Sequence, residues 1–255
     1  MRLFDSHAHW GDSRFDEDRE AALSSLKAHS VERVMEIGCD PEGAKKAVAL
    51  SEQYPFIYAA VGIHPENAQE VTDEDFAAIE KLYALPKVRA VGEIGLDYHY
   101  GAEYKDIQKE VFARQLELAV KLDLPVCIHD REAHADTLDI LRAYPAVRGV
   151  FHSYSGSLEM AEILRKMNFV FGFNGIITFK NAKKFEPIIA RLHPEEILIE
   201  TDCPYLAPHP FRGQRNDSRL VYRVAEEIAE IRCISDEEAA EMTWRNACTL
   251  YGLEP

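Results

Sequence analysis

The sequence predicts an α/β protein, a single (β/α)8 barrel spanning residues 1–255, on three observations. Short apolar runs alternate with longer amphipathic stretches from end to end, eight runs can be counted, and no linker-like Gly/Ser tract, low-complexity block or short repeat interrupts them. Strand candidates that are each followed by a helical stretch imply parallel βα units, and 255 residues suit one closed barrel. The rival architecture is an open doubly wound sheet with extra helices.

The runs, in order, are Leu3-Phe4-Asp5, Val31 to Gly38, Ile57 to His64, Val88 to Gly95, Pro125 to His129, Arg148 to His152, Phe169 to Gly175 and Ile197 to Asp202. Most are rich in Val, Ile and Phe, have the length of buried strands and end near Gly, His or Asp. Helical signals lie between them. Thr72-x-x-Asp75 and Ser235-x-x-Glu238 have the spacing of capping boxes. Ile107, Val111, Leu118 and Leu122 recur at helical spacing among Lys, Glu and Gln, which predicts an apolar face on that helix. Gly252 stands where the last helix should stop.

The bulk composition excludes several classes. The chain is 47% hydrophobic and 29% charged, as a globular protein is. No apolar run is long enough to span a bilayer, and the N-terminus lacks a signal-peptide core, so a cytoplasmic protein with no membrane partner is expected. Five cysteines, an odd number without C-x-x-C spacing, read as free thiols rather than disulfides or a structural zinc site. The 29 basic and 44 acidic side chains give a net charge of −15. Such a surface repels nucleic acid at long range, so a nucleic-acid substrate would need local positive charge, which bound metal ions can supply.

In a barrel of this class the active site lies at the C-terminal ends of the strands. The run ends carry Asp5-Ser6-His7-Ala8-His9, Gly62-Ile63-His64-Pro65, Gly92-Glu93-Ile94-Gly95-Leu96-Asp97-Tyr98, Ile128-His129, Phe151-His152 and Glu200-Thr201-Asp202. Five of the ten histidines, His7, His9, His64, His129 and His152, fall there. A single such histidine is more often a satisfied core or loop residue, but the set together points to metal binding. Imidazole and carboxylate donors without thiolate suit Mg, Mn, Zn or similar divalent ions. His7 and His9, two apart on an extended strand, point to the same side and can share one ion. Glu93 can give one oxygen to each of two ions, with Asp202 completing the first and His129 and His152 the second. Two ions together can activate water and stabilise an in-line displacement.

Taken together and in this order, these motifs resemble the TatD family of metal-dependent hydrolases over essentially the whole chain. The resemblance implies a TIM barrel, two divalent metal ions per subunit and deoxyribonuclease activity. It implies that His7 and His9 hold the first ion, that Glu93 bridges, and that His129 and His152 hold the second. Asp202 would bind the first ion and handle the proton of the attacking water. His64 would lie beside the scissile phosphate or help hold a further metal. The segment Ala207-Pro208-His209-Pro210-Phe211-Arg212-Gly213-Gln214-Arg215-Asn216 looks like the family's A-P-x-P-x-R-G-x-x-N stretch, which puts Arg212 and Asn216 near substrate. Arg212 is read either as a phosphate fork or as a loop-anchoring ion pair. Two departures stand out: Ser218 where the family often has Pro, and Ser153-Tyr154 where it often has Cys-Phe.

Tyr98 could stack on a base, or only pack. Arg131, just past His129, could meet a phosphate or be an ordinary surface charge, and Glu200 could orient a ligand or pair with a basic residue in the barrel. His29, His134, His193 and His209 read as surface or loop residues. The expected activity is phosphodiester hydrolysis on DNA, at single-stranded ends because a deep barrel mouth on an acidic surface admits a strand terminus more easily than a duplex. No obligate protein partner is evident. The competing expectation is a hydrolase using the same metals on a small amide, lactone or phosphoester. Glu93 in place of a bridging lysine, with Arg212 and Asn216 at the mouth, favours the phosphodiester.

Overall fold

The computed structural model describes all residues, 1–255. In chain order the elements are β1 (Leu3–Ala8), α1 (Arg19–Ser25), β2 (Val31–Gly38), α2 (Pro41–Gln53), β3 (Ile57–Val61), α3 (Asp73–Leu82), β4 (Val88–Asp97), α4 (Lys105–Leu122), β5 (Val126–Arg131), α5 (His134–Arg142), β6 (Gly149–Phe151), α6 (Leu158–Arg165), β7 (Phe169–Phe173), α7 (Glu186–Arg191), β8 (Ile197–Ile199), α8 (Tyr222–Arg232) and α9 (Asp236–Leu250). The strands form one parallel sheet in the order β1 through β8, the (β/α)8 class that the sequence predicts. All eight apolar runs became strands. No helix is long and apolar enough to cross a membrane. By contact density the chain divides into two compact units, Met1–Glu36 with Val170–Pro255, and Ile37–Phe169.

In the first unit β1 pairs with β2 and β7 with β8, and a parallel bridge joins Ala8 to Cys203 just past β8. Every residue of β1 is buried, so its polar side chains must find partners inside. Buried Asp5 accepts from the Thr201 N–H at 2.8 Å, the Thr201 hydroxyl at 2.6 Å and the Ser218 hydroxyl at 2.5 Å. Burial pushes this carboxyl up, the hydroxyl and N–H donors pull it back, and it stands at about 7. Ser218, the departure from the family pattern, also accepts from Trp10 Nε1 at 2.9 Å, so the hydroxyl that replaces a proline has two buried partners. The Ser235–Glu238 capping box opens α9, and Gly252 takes the left-handed φ of +61° just beyond its end.

In the second unit β3, β4, β5 and β6 pair in parallel, with Gly95 opposite His129 and Asp97 opposite Arg131. Gly95 has φ +140°, and a Cβ there would meet the His129 carbonyl oxygen at 1.9 Å, so only glycine lets β5 approach at this level. Helix α3 begins at the Thr72–Asp75 capping box and buries Phe76 and Ile79.

The face expected on α4 needs correction. Ile107 is exposed, and Leu118 and Leu122 are only half-buried. The buried face is Gln108, Val111, Phe112, Gln115, Leu116 and Ala119. The two glutamines sit inside because they satisfy backbone groups that the strand tips leave open. Gln115 accepts from the Ile63 N–H at 2.7 Å and donates to the Ile63 carbonyl at 3.0 Å. Gln108 does the same for Asp97, at 2.9 Å in each direction. A hydrophobic count discards Gln, while the buried backbone demands it.

Candidate metal centre

The first unit brings together His7, His9 and Asp202. The side-chain alternation of an extended segment puts the two imidazoles on one side, with Nε2 atoms 3.1 Å apart. Asp202 Oδ1 lies 3.3 Å from His9 Nε2 and 3.8 Å from His7 Nε2. The backbone aims that carboxylate: Asp202 donates its N–H to the His7 carbonyl at 2.9 Å and holds φ at 55°. That left-handed conformation costs a non-glycine residue on the order of 1 kcal/mol. Donors about 2.1 Å from a common ion lie roughly 3.0–3.4 Å apart in octahedral or tetrahedral geometry. The triangle of 3.1, 3.3 and 3.8 Å fits one divalent ion. Glu36 accepts from the Trp10 and Gly11 N–H groups, both at 2.7 Å, and so fixes the chain just after His9.

The second unit centres on Glu93, which has a 4% exposed side chain. Its Oε1 lies 2.8 Å from His129 Nδ1, 2.8 Å from His152 Nε2 and 3.6 Å from His64 Nε2. His129 is held at both nitrogens, since its Nε2 lies 2.9 Å from Asp97 Oδ2. If His129 donates its Nε2–H to Asp97, the Nδ1 lone pair faces a carboxylate oxygen, and only a proton or a metal ion relieves that contact. In the metal-free protein the relief is a proton. Burial disfavours the imidazolium, but the bonds to Asp97 and Glu93 outweigh it and raise His129 to about 9. Asp97 is also opposed by burial, yet His129 and the Tyr100 and His99 N–H groups hold it down at about 2. His64 goes the other way: burial lowers it to about 3, against the pull of Glu93, so it stays neutral and its Nε2 can ligate. Its Nδ1 accepts from the Glu66 N–H at 3.2 Å at the start of the Pro65–Asn67 turn.

Sequence reasoning missed two of these groups. Asp97 stands in the Gly92-to-Tyr98 motif, where its position alone gives it no role. Its signal was an acid four residues past Glu93 on a strand buried at nine of its ten positions. Cys39, read only as a free thiol, places Sγ 3.7 Å from Glu93 Oε2.

The expected substrate residues divide. Arg131 is exposed at the end of β5, its guanidinium 4.7 Å over the Tyr100 ring. Arg212 is exposed and lies 4.0 Å over Phe179 rather than in a loop-anchoring ion pair. Tyr98 is half-buried; its hydroxyl donates to Asp136 at 2.6 Å, and Lys105 Nζ lies 4.4 Å over its ring. Asn216 is fully buried and donates to the Thr201 carbonyl at 2.9 Å, bracing the chain beside Asp202. Glu200 is also fully buried. His134 pairs with Asp130 and His99 with Glu132, both at 2.8 Å.

Comparison with known proteins adds three findings. The family described as TatD related DNase matches residues 4–252. An uncharacterized metal-dependent hydrolase of Bacillus subtilis, YabD, is 46% identical, with 98% of each chain aligned. The crystal structure of YjjV, a TatD homolog from Escherichia coli, superposes with a TM-score of 0.93 at 32% identity, covering 99% of both chains.

Proposed function

This chain belongs to the TatD-related DNase family of metal-dependent hydrolases, and from that premise we propose that it cleaves phosphodiester bonds in DNA, working from single-stranded ends. The observation that carries the reading is the His7–His9–Asp202 triangle, whose donor spacings match one divalent ion with no thiolate in the set. In this reading His7, His9 and Asp202 hold one ion, His129 and His152 hold a second, and Glu93 serves both.

Divalent ions such as Mg, Mn or Zn, held by these residues, would supply Lewis acidity to the phosphate and to water. The protein does the rest. Asp202, partly exposed beside His9 and His7, would take the proton of the attacking water. Asp97 keeps His129 oriented. His64, neutral at working pH, offers Nε2 to the phosphate side of Glu93. Arg131 and Arg212 present unpaired guanidinium edges, which suit a phosphate's paired oxygens.

The test is digestion of an end-labelled single-stranded DNA oligonucleotide with Mg, Mn or Zn, beside Asp202→Asn and a chelated control. Shortening from the labelled or opposite end, lost in Asp202→Asn and after EDTA, is the expected result. Turnover of a small amide, lactone or phosphoester panel with none of the oligonucleotide would move the reaction to that substrate class. Cutting that survives exhaustive chelation would remove the metals from it.

A further inference from the structure

Large apolar side chains exposed to solvent are few in this chain, and three of the seven lie within eight residues: Tyr100 at 62%, Tyr104 at 38% and Ile107 at 42%. They occupy the turn after β4 and the first turn of α4, immediately past Asp97. Tyr100, the most exposed of them, meets the His99 ring edge-on at 4.6 Å between centroids and keeps most of its surface in solvent.

The turn is pinned to the metal-ligand region by one carboxylate. Asp97 Oδ2 meets His129 Nε2, while Asp97 Oδ1 accepts the N–H groups of His99 at 2.8 Å and Tyr100 at 3.0 Å. Gln108 ties the far side by donating to the Gly101 carbonyl at 3.2 Å. Tyr98 donates its N–H to the Arg131 carbonyl at 2.9 Å, which sets the β5 tip beside the turn. The Tyr100 backbone is thus held at a fixed offset from His129.

Arg131 gives the second, independent observation. The chain has 44 acidic side chains against 29 basic ones, so an exposed arginine usually finds a carboxylate. Arg14 is the contrast: it lies 4.1 Å over Tyr205, but two bonds to Asp12, at 2.8 and 2.9 Å, also engage it. Arg131 places its guanidinium carbon 4.7 Å from the Tyr100 ring centroid, and it forms no salt bridge with a carboxylate. A guanidinium held by its face over a ring keeps its fork for a planar or tetrahedral anion. A solvent-exposed aromatic beside an open cationic fork has the chemistry of a nucleotide: a base for the ring and a phosphate for the fork.

We infer that Tyr100 and Arg131 form a docking subsite for one nucleotide flanking the scissile phosphate, with its base stacked on Tyr100 and its phosphate on Arg131. The inference rests on the nuclease reading above and adds the residue that distinguishes a base-bearing strand from a bare phosphodiester. It also answers the charge problem of an acidic nuclease: stacking holds the strand without a wide basic surface.

The experiment uses a single-stranded DNA series in which one abasic nucleotide is moved through successive positions, cut by the wild-type protein and by Tyr100→Ala and Tyr100→Trp. The wild type should lose roughly 5- to 150-fold in kcat/KM when the base is missing at one particular position, equivalent to about 1–3 kcal/mol for one stacked base. Tyr100→Ala should be slow on the intact strand and show no positional penalty, whereas Tyr100→Trp should keep the penalty. Arg131→Lys should raise KM more than it lowers kcat. An equal positional penalty in wild type and Tyr100→Ala, or no penalty anywhere, overturns the subsite while leaving nuclease activity standing. A wild-type protein that cuts no oligonucleotide overturns the nuclease reading and the subsite with it.

Discussion

The ligand group of the first unit and that of the second use the same side-chain types to opposite effect. His7, His9 and Asp202 lie 3.1–3.8 Å apart, a spacing that one divalent ion fits. Around Glu93 the closest contacts are 2.8 Å, and His129 is clasped between two carboxylates. The second group can therefore hold a proton on His129 between its two carboxylates, while the spacing of the first suits a cation. Two sites built from imidazole and carboxylate need not empty, fill or titrate alike, because the number of carboxylates on each imidazole decides whether a proton competes with metal.

The largest effect should come from removing each group's carboxylate. Asp202→Asn and Glu93→Gln should each lower turnover by well over the roughly 10–100-fold typical of outer-shell partners. Elemental analysis of the purified variants separates them. If Glu93 serves both ions, Glu93→Gln should bind neither, while Asp202→Asn keeps the one held by His129 and His152. Equal metal content in the two variants would break the proposed asymmetry.

Next should come Asp97→Asn. It leaves every proposed ligand in place but weakens the hold on His129, so metal affinity or activity should fall about 10–100-fold. An unchanged metal titration would show that His129 is oriented by packing alone.

The pH dependence sharpens the contrast within the second group. His129 is raised to about 9 in the metal-free protein, so its proton stabilises the fold fully below the unfolded value of about 6.5. That contribution is lost as pH rises through 9, and metal binding there should strengthen over the same window. His64, lowered to about 3, has the opposite sign: folding disfavours its charged form, so stability is lost as pH falls from about 6.5 toward 3. Histidine NMR titration of metal-free protein should show one imidazole titrating late and one staying neutral. Two ordinary curves near 6.5 would remove the clasp.

The smallest effect is a control that treats the units alike. Thr72→Ala and Ser235→Ala each delete one capping box, and each should cost about 0.5–2 kcal/mol in denaturant unfolding with kcat/KM unchanged. A loss of activity from either would tie its helix to the site.

What could be read from the sequence was what local chemistry fixes. The eight apolar runs became strands because period and composition are properties of neighbouring residues. His7 and His9 fall on one side because residues two apart on an extended chain do, and the capping boxes formed because their partners are three residues apart. Tertiary structure alone decided the rest. Asp97 became the partner of His129 through the register that sets β4 beside β5. Gln108 and Gln115 displaced the expected apolar stripe because strand-tip backbone needed donors and acceptors. Asn216 turned inward to hold Thr201, and Arg131 found Tyr100 rather than an acid. Each outcome depends on a distance between segments far apart in sequence, and on burial that makes an unpaired polar group costly. Neither quantity is encoded in residue type or spacing.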